Sequence, residues 1–264
     1  MPSISWAKSY AAAARAARTA KKLVLVDFYT DWCGYCKKLD AEVFPDPRVV
    51  QAVGTVVAVK LNAEREGQAL SQKFGVTGFP TLLFLDESGF EVSRIGGYLP
   101  AGPLVQEVNA AVKVHRELPA MAAKVKASPA DAKGALELLK VYASMRRTQP
   151  SEALLAQVQR ADPKNAQGQL ATAFNVVGEM NLKTASVSKA RQKFAKAEQL
   201  ARSPLDKAVA ILNLGICDAT EQRLEPAMAQ WRRARAIPGC PENLKKAAEA
   251  FLQRAAQMKK GHKP

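Results

Sequence analysis

Histidine is almost missing from this chain: two residues in 264, His115 and His262, each isolated. A His-rich metal centre is therefore excluded. Long apolar runs are missing as well. No stretch approaches the roughly 20 residues that span a bilayer, so no transmembrane segment is expected. The opening segment MPSISWAKSYAAAARAARTAKK has no basic region followed by an apolar one, the pattern of a secretory leader. The expectation is a cytoplasmic protein, or a periplasmic one if a leader was removed. Cysteine is scarce: Cys33, Cys36, Cys217 and Cys240 are too few for a disulfide scaffold. Acidic residues are outnumbered, 24 Asp+Glu against 39 Lys+Arg.

That imbalance is local. Residues 1–113 carry 13 basic and 11 acidic side chains, and residues 114–264 carry 26 and 13, so nearly all of the net charge of +15 belongs to the second half. Such a field attracts acidic proteins, anionic lipid or nucleic acid, but a solvated, soluble basic helical surface is the favoured account of it. An acidic protein partner on the helical half is kept as an expectation. Nucleic acid is not expected, because the chain has no aromatic-plus-basic motif of an RNA-binding sheet, no zinc knuckle and no recognition helix.

Two patterns divide the chain. In the first part, residues 7–21 are alanine-rich and helix-forming. KLVLVDFYT (22–30) and TVVAVKLNAE (55–64) are continuous apolar, β-branched runs, as in strands buried on both faces. KKLDAEVF reads as a helix ended by Pro45 and Pro47, and GQALSQKFG as a short helix closed by glycine. FPTLLFLDESGFEVSRIGG reads as a hairpin about the turn Asp86–Gly89, and residues 101–114 return to a helix. This order predicts an α/β domain over 1–115. Residues 116–129 read as a connector with a short helical piece, and 130–264 as an all-α domain with breaks at Thr148-Gln149-Pro150 and at 162–165. Within the helical part, Gly178, Ala190, Phe194 and Ala197 recur as Gly215, Ala227, Trp231 and Ala234, each 37 residues on. The spacing resembles the tetratricopeptide helix-turn-helix repeat. Its small residues would let paired helices approach and its aromatics would wedge between repeats. A degenerate earlier unit is expected over 130–165, and an unpatterned helical bundle is the alternative.

The segment DWCGYCKKLD concentrates the chemistry. Following a buried strand and opening a helix, Cys33 would sit among unpaired N–H groups at the positive end of the helix dipole, which favours the reactive thiolate. Cys36 lies one turn on along the same face, so one sulfur can attack a substrate disulfide and the other can resolve the mixed disulfide. Zinc needs four ligands, and Cys217 and Cys240 would complete the set only if the helical half folded back onto this loop. A purely structural bridge does not need so short a loop. Cys217 and Cys240 themselves read as buried free thiols, or as a disulfide in an oxidising compartment.

The residues resemble the thioredoxin superfamily over roughly 4–113, most closely the thioredoxin-like reductases of the DsbD C-terminal type. VDFYTDWCGYCK resembles the active-site segment, with Asp27 at the buried acid and Trp32 before the nucleophile. Lys60 matches the lysine that approaches that acid. Phe79-Pro80-Thr81 matches the segment carrying a cis-proline, and Gly96-Gly97 the loop lining the substrate groove. The resemblance implies a thioredoxin fold, a central mixed sheet flanked by helices. It makes Cys33 the nucleophile, Cys36 the resolving thiol, and Asp27 a raised-pKa acceptor of the Cys36 proton. Trp32, Gly34, Tyr35, Phe79, Pro80 and Gly97 would contact substrate. No metal or cofactor is implied, because the electrons travel through the cysteines. The implied partners are disulfide-containing client proteins and an upstream thiol reductant. Between the cysteines this chain has Gly34-Tyr35 where thioredoxin has Gly-Pro, a pair that resembles some bacterial disulfide isomerases. Reductase versus isomerase is left open, and the surrounding segment favours reductase.

Overall fold

The computed structural model describes residues 3–261, so His262 lies outside the described residues. The chain divides into two compact units between Ala120 and Met121.

The first unit is built on a five-stranded sheet: β1 (Trp6–Ala7), β2 (Val24–Tyr29), β3 (Val57–Asn62), β4 (Thr81–Leu85) and β5 (Glu91–Gly96), in the order β1-β3-β2-β4-β5. β1, β3 and β2 run parallel, and β4 and β5 are antiparallel additions. The apolar run of β2 explains its central place, since every residue from Val24 to Phe28 is buried. α1 (Tyr10–Ala20) is capped by Ser9 and closed by Lys21 in the left-handed region. Its Ala13 and Ala17 pack on Val24, Val26, Phe28 and Val59. α2 (Gly34–Lys38) runs on into a π-turn over Leu39–Val43, followed by α3 (Pro47–Val53) and α4 (Gln68–Lys73). The β4–β5 turn is held by Asp86, whose side chain accepts from the N–H groups of Ser88 and Phe90.

Three local expectations are corrected. Pro47 opens a helix instead of marking an end, and Pro150 stands in the first turn of α7 (Thr148–Ala161) instead of in a break. Both occupy first-turn positions, where a backbone N–H has no intrahelical partner to lose. The connector expected over 116–129 is helical to Ala127, because α5 spans Ala101–Ala127 with Pro119 inside it. Residues 120–127 are mostly strong helix formers, and the single missing N–H at Pro119 does not end the helix. β1 was not expected, because two residues give no periodicity to read.

In the second unit α6 (Ala132–Ser144) pairs with α7, α8 (Gln169–Lys183) with α9 (Val187–Leu200), and α10 (Pro204–Thr220) with α11 (Leu224–Arg235), before α12 (Glu242–Gly261). The three hairpins turn the same way. Arg146, Ala185 and Gln222 have positive φ, and the next residue donates its N–H five residues back: Arg147 to Tyr142, Ser186 to Asn181 and Arg223 to Asp218, at 2.9, 2.8 and 2.9 Å. Each glycine of the 37-residue pattern lies under the aromatic of its own hairpin. A Cβ on Gly178 would come within 2.6 Å of the Phe194 ring, and one on Gly215 would collide with the Trp231 indole. Taking Arg146 as the counterpart of Ala185, Leu139 and Leu155 stand where Gly178 and Phe194 stand, and both are buried. The first hairpin thus keeps the turn while two leucines replace the glycine–aromatic pair. Cys217 and Cys240 are free and buried; burial pushes the Cys217 thiol up to about 11, against the nearby Arg191 charge.

Because Phe194 is fully buried, its ring has no room to yield. Gly178→Ala should therefore destabilise the helical unit by about 1–3 kcal/mol, read as an earlier transition in denaturant unfolding followed by circular dichroism. Phe194→Leu in the same chain should recover part of the loss.

Candidate active site

The parallel register of β2 and β3 sets Asp27 beside Lys60 and ends both strands at one edge of the sheet. In open α/β sheets the crevice outside the carboxyl ends of such strands is where ligands bind. The loop leaving β2 there carries Asp31, Trp32 and Cys33. The loop leaving β3 holds it in place. Buried Asn62 donates its side-chain amide to Asp31 at 3.1 Å and accepts from the Glu64 N–H at 2.9 Å. Arg65 pairs with Asp31 at 2.6 Å, and the Trp32 indole N–H donates to Glu64 at 2.9 Å. Gly67 closes this loop against the Asn62 carbonyl, where a Cβ would sit only 2.8 Å away.

Cys33 is the N-cap of α2, and its Sγ accepts from the Cys36 N–H at 3.1 Å. The two sulfurs are bonded, with Cα atoms 5.3 Å apart, and the two cysteines are 4% and 2% exposed. Around them the surface is aromatic: Trp32 and Tyr35 are 67% and 63% exposed. The Trp32 ring meets Phe79 edge-on at 6.0 Å, and Tyr35 meets Tyr98 at 6.0 Å. The Phe79-Pro80 bond is cis. Pairing of Phe28 with Thr81 brings this bond to the β2 end from which the cysteine loop departs. The Gly97 N–H donates to the Pro80 carbonyl at 2.8 Å. Gly97 itself has φ 89°, which favours glycine. An open groove of about 330 Å³ beside it is lined by Gly78, Phe79, Thr81, Arg94, Gly96 and Gly97.

Asp27 is 1% exposed. Burial raises its pKa from 3.8 to about 6, against the pull of Lys60 and with a further push from Asp40. Lys60 Nζ stands 3.0 Å from Asp27 Oδ2 but out of hydrogen-bond alignment, so neither Asp27 oxygen carries a hydrogen bond. The ammonium instead donates to Asp40. Although burial works against it, the two carboxylates raise the Lys60 pKa above its ordinary value. Tyr29, Phe44 and Trp6 ring the same ammonium, their centroids 4.9, 5.4 and 5.9 Å away.

Sequence reasoning named Asp27, Lys60, Trp32, Cys33, Gly34, Tyr35, Cys36, Phe79, Pro80 and Gly97. The structure puts the cysteine loop, the Phe79-Pro80 bond and Gly97 at the sheet edge where β2 ends, and Asp27 with Lys60 inside β2 and β3; neither Asp27 oxygen is hydrogen-bonded to a cysteine. It adds Asp40, Asn62, Glu64 and Tyr98. Asp40 had no signal, since its contact with Lys60 joins the π-turn after α2 to β3. Asn62, Glu64 and Tyr98 had none, because their role follows from strand pairing. Among the described residues, no group of three or more His, Cys, Asp or Glu side chains gathers as metal ligands.

Residues 10–111 match the family described as Thioredoxin-like domain. The first unit has a thioredoxin fold. DsbD, the thiol:disulfide interchange protein, is 38% identical in Haemophilus ducreyi over 93 residues, 33% of this chain and 16% of that protein. The Salmonella paratyphi A protein of the same name is 39% identical over 90 residues, 32% of this chain and 16% of the relative. The chain therefore spans about a sixth of the length of the curated relatives it matches. Among solved structures, a thioredoxin from Thermus thermophilus is 27% identical with a TM-score of 0.41, over 44% of this chain and 92% of that one. The reduced DsbD C-terminal domain of Neisseria meningitidis is 28% identical with a TM-score of 0.34, over 38% and 91%.

The raised Asp27 pKa has a stability consequence with a definite sign. Between pH 3.8 and about 6 the native state holds a proton that the unfolded chain has released. Stability therefore falls as pH rises through that window and stays lower above it. The displacement corresponds to roughly 3 kcal/mol. Asp27→Asn should stabilise the oxidised protein at pH 7.5 by up to that amount and show no advantage below pH 4, measured by denaturant unfolding at both pH values.

Proposed function

We propose that this chain is a thiol–disulfide oxidoreductase that reduces disulfides of client proteins. The observation that supports this most directly is the bonded Cys33–Cys36 pair, capping a helix at the end of the sheet where the cis Phe79-Pro80 bond lies. In the reduced chain, the Cys33 thiolate faces the free N–H groups of the first turn, which favour the anion. It attacks one sulfur of a client disulfide. A bond forms between the chain and that sulfur, the client S–S bond breaks, and the second client sulfur leaves as thiolate and takes up a proton. Cys36 then gives its proton to Asp27, whose pKa of about 6 suits an acceptor near neutral pH. The Cys36 thiolate displaces the first client sulfur from Cys33. The client leaves with two thiols, and the chain ends as the disulfide, two electrons poorer. A thiol reductant restores it.

The other residues have supporting roles. Trp32, Gly34, Tyr35, Phe79, Pro80 and Gly97 border the client. The Phe79 backbone would pair with an extended client segment. Lys60 moderates the Asp27 charge. The helical unit is the part that holds clients or an acidic partner; its shared hairpin turn supports a tetratricopeptide-like array, and its basic excess supports an acidic partner. A disulfide isomerase is the second reading. It is favoured by Tyr35 between the cysteines, and the reduction potential of the pair separates the two, with about 30 mV equal to roughly 1.4 kcal/mol.

The wild-type chain should reduce insulin in the presence of dithiothreitol, read as turbidity, and Cys33→Ser should abolish that activity. Cys36→Ser should accumulate mixed disulfides with client proteins, seen on non-reducing gels and released by reductant. Asp27→Asn should slow reduction by about tenfold or more at pH 7, in keeping with loss of a positioned proton acceptor. Insulin left intact by the wild type, with no trapped partner, would refute the reading and favour a helical interaction scaffold with a vestigial redox unit.

A further inference from the structure

The two flanks of the disulfide differ in charge. On one, Tyr35 and Lys38 stand three residues apart on the same face of α2. Tyr98, next to the Gly97 that is tied to Pro80, packs against both: its ring lies 6.0 Å from that of Tyr35, and Lys38 Nζ lies 5.0 Å from its centroid. The ammonium is therefore held at the rim of the site instead of sweeping through solvent. Its side chain is 46% exposed, and its carboxylate neighbour, Glu42, is 3.8 Å away. On the other flank Trp32 is fixed edge-on to Phe79 and donates to Glu64. The carboxylates of Asp31 and Glu66 lie in the same pair of loops, with Arg65 as the countercharge to Asp31. Between the flanks the surface is open at Gly34, where a Cβ would meet nothing within 4 Å.

We infer that Lys38 and Tyr98 determine specificity, selecting client disulfides whose attacked cysteine has an acidic neighbour on the Tyr98 side. The inference rests on the oxidoreductase reading. An extended client segment that presents its sulfur to Cys33 spans both aromatic walls. A carboxylate on its Tyr98 side meets a cation already immobilised, whereas an ammonium there is repelled and would be drawn to the Glu64 side. Tyr98 acts as the positioning residue, since it fixes where the charge stands. Exposed ion pairs are weak, so the preference should be about threefold and should fade as salt screens it.

The test uses the full chain, reduced and freed of reductant, in single-turnover reduction of disulfide-linked peptides. The peptides are identical except for Glu or Lys placed before or after one cysteine. At low salt one of the two Glu placements should react about threefold faster than its Lys counterpart. The ratio should approach one at 0.5 M salt. It should invert in Lys38→Glu and shrink in Tyr98→Ala. Ratios within one protein are compared, so a change in overall rate does not disturb the reading. Equal rates at low salt for both placements, Lys peptides faster than their Glu counterparts at both placements, or a ratio unchanged in Lys38→Glu would overturn the inference while the oxidoreductase reading stands. Failure to reduce any peptide would overturn that reading, and the inference with it.

Discussion

A buried carboxylate and a half-buried ammonium, paired through the register of two parallel strands, organise the first unit. Asp27 lies in the middle of the apolar strand β2, and its position opposite Lys60 follows from the same register that aligns β2 with β3 from end to end. A slip of one residue would turn Asp27 to the other face and leave an uncompensated charge in the core. The same register ends both strands together. It thereby brings the cysteine loop within reach of Asn62, Glu64 and Arg65.

The pairing is deliberately incomplete as an ion pair. Lys60 divides its attention between Asp27 and Asp40 and is ringed by Tyr29, Phe44 and Trp6. A fully matched partner would hold Asp27 ionised and low in pKa. Desolvation with a shared cation instead raises the carboxyl's pKa to about 6. Stability is given up at this point as pH rises toward that value.

In the helical unit one device recurs: each hairpin's turn residue adopts positive φ, and in two of the three hairpins the aromatic of the second helix lies over a glycine on the first. Ala185 and Gln222 lie 37 residues apart, the spacing of Gly178 from Gly215 and of Phe194 from Trp231. Turn and contact are thus parts of one repeating device. The first hairpin keeps the turn at Arg146 and has buried Leu139 and Leu155 at the corresponding positions. Small and aromatic residues make a legible spacing, whereas a leucine pair does not stand out from any other core, and this is why that hairpin was harder to see.

Local chemistry was legible from the chain alone. The buried strands, the helix opened by Cys33, the turn at Asp86 and the glycine–aromatic repeat each reside in a few adjacent residues, or in one period, and backbone preference decides them. The candidate site residues from Asp27 to Gly97 were named from the resemblance of their segments to the thioredoxin superfamily. What only the tertiary structure decided is which distant residues meet. Helix continuity through Pro119 depends on what the flanking residues prefer in sum, and β1 exists only because β3 offers an edge. Asp40 against Lys60, Asn62 beneath the cysteine loop, Glu64 on Trp32, and Tyr98 between Tyr35 and Lys38 all depend on strand order and loop closure. These contacts join residues up to 63 positions apart along the chain, a separation at which no local preference acts, so packing alone selects the partners.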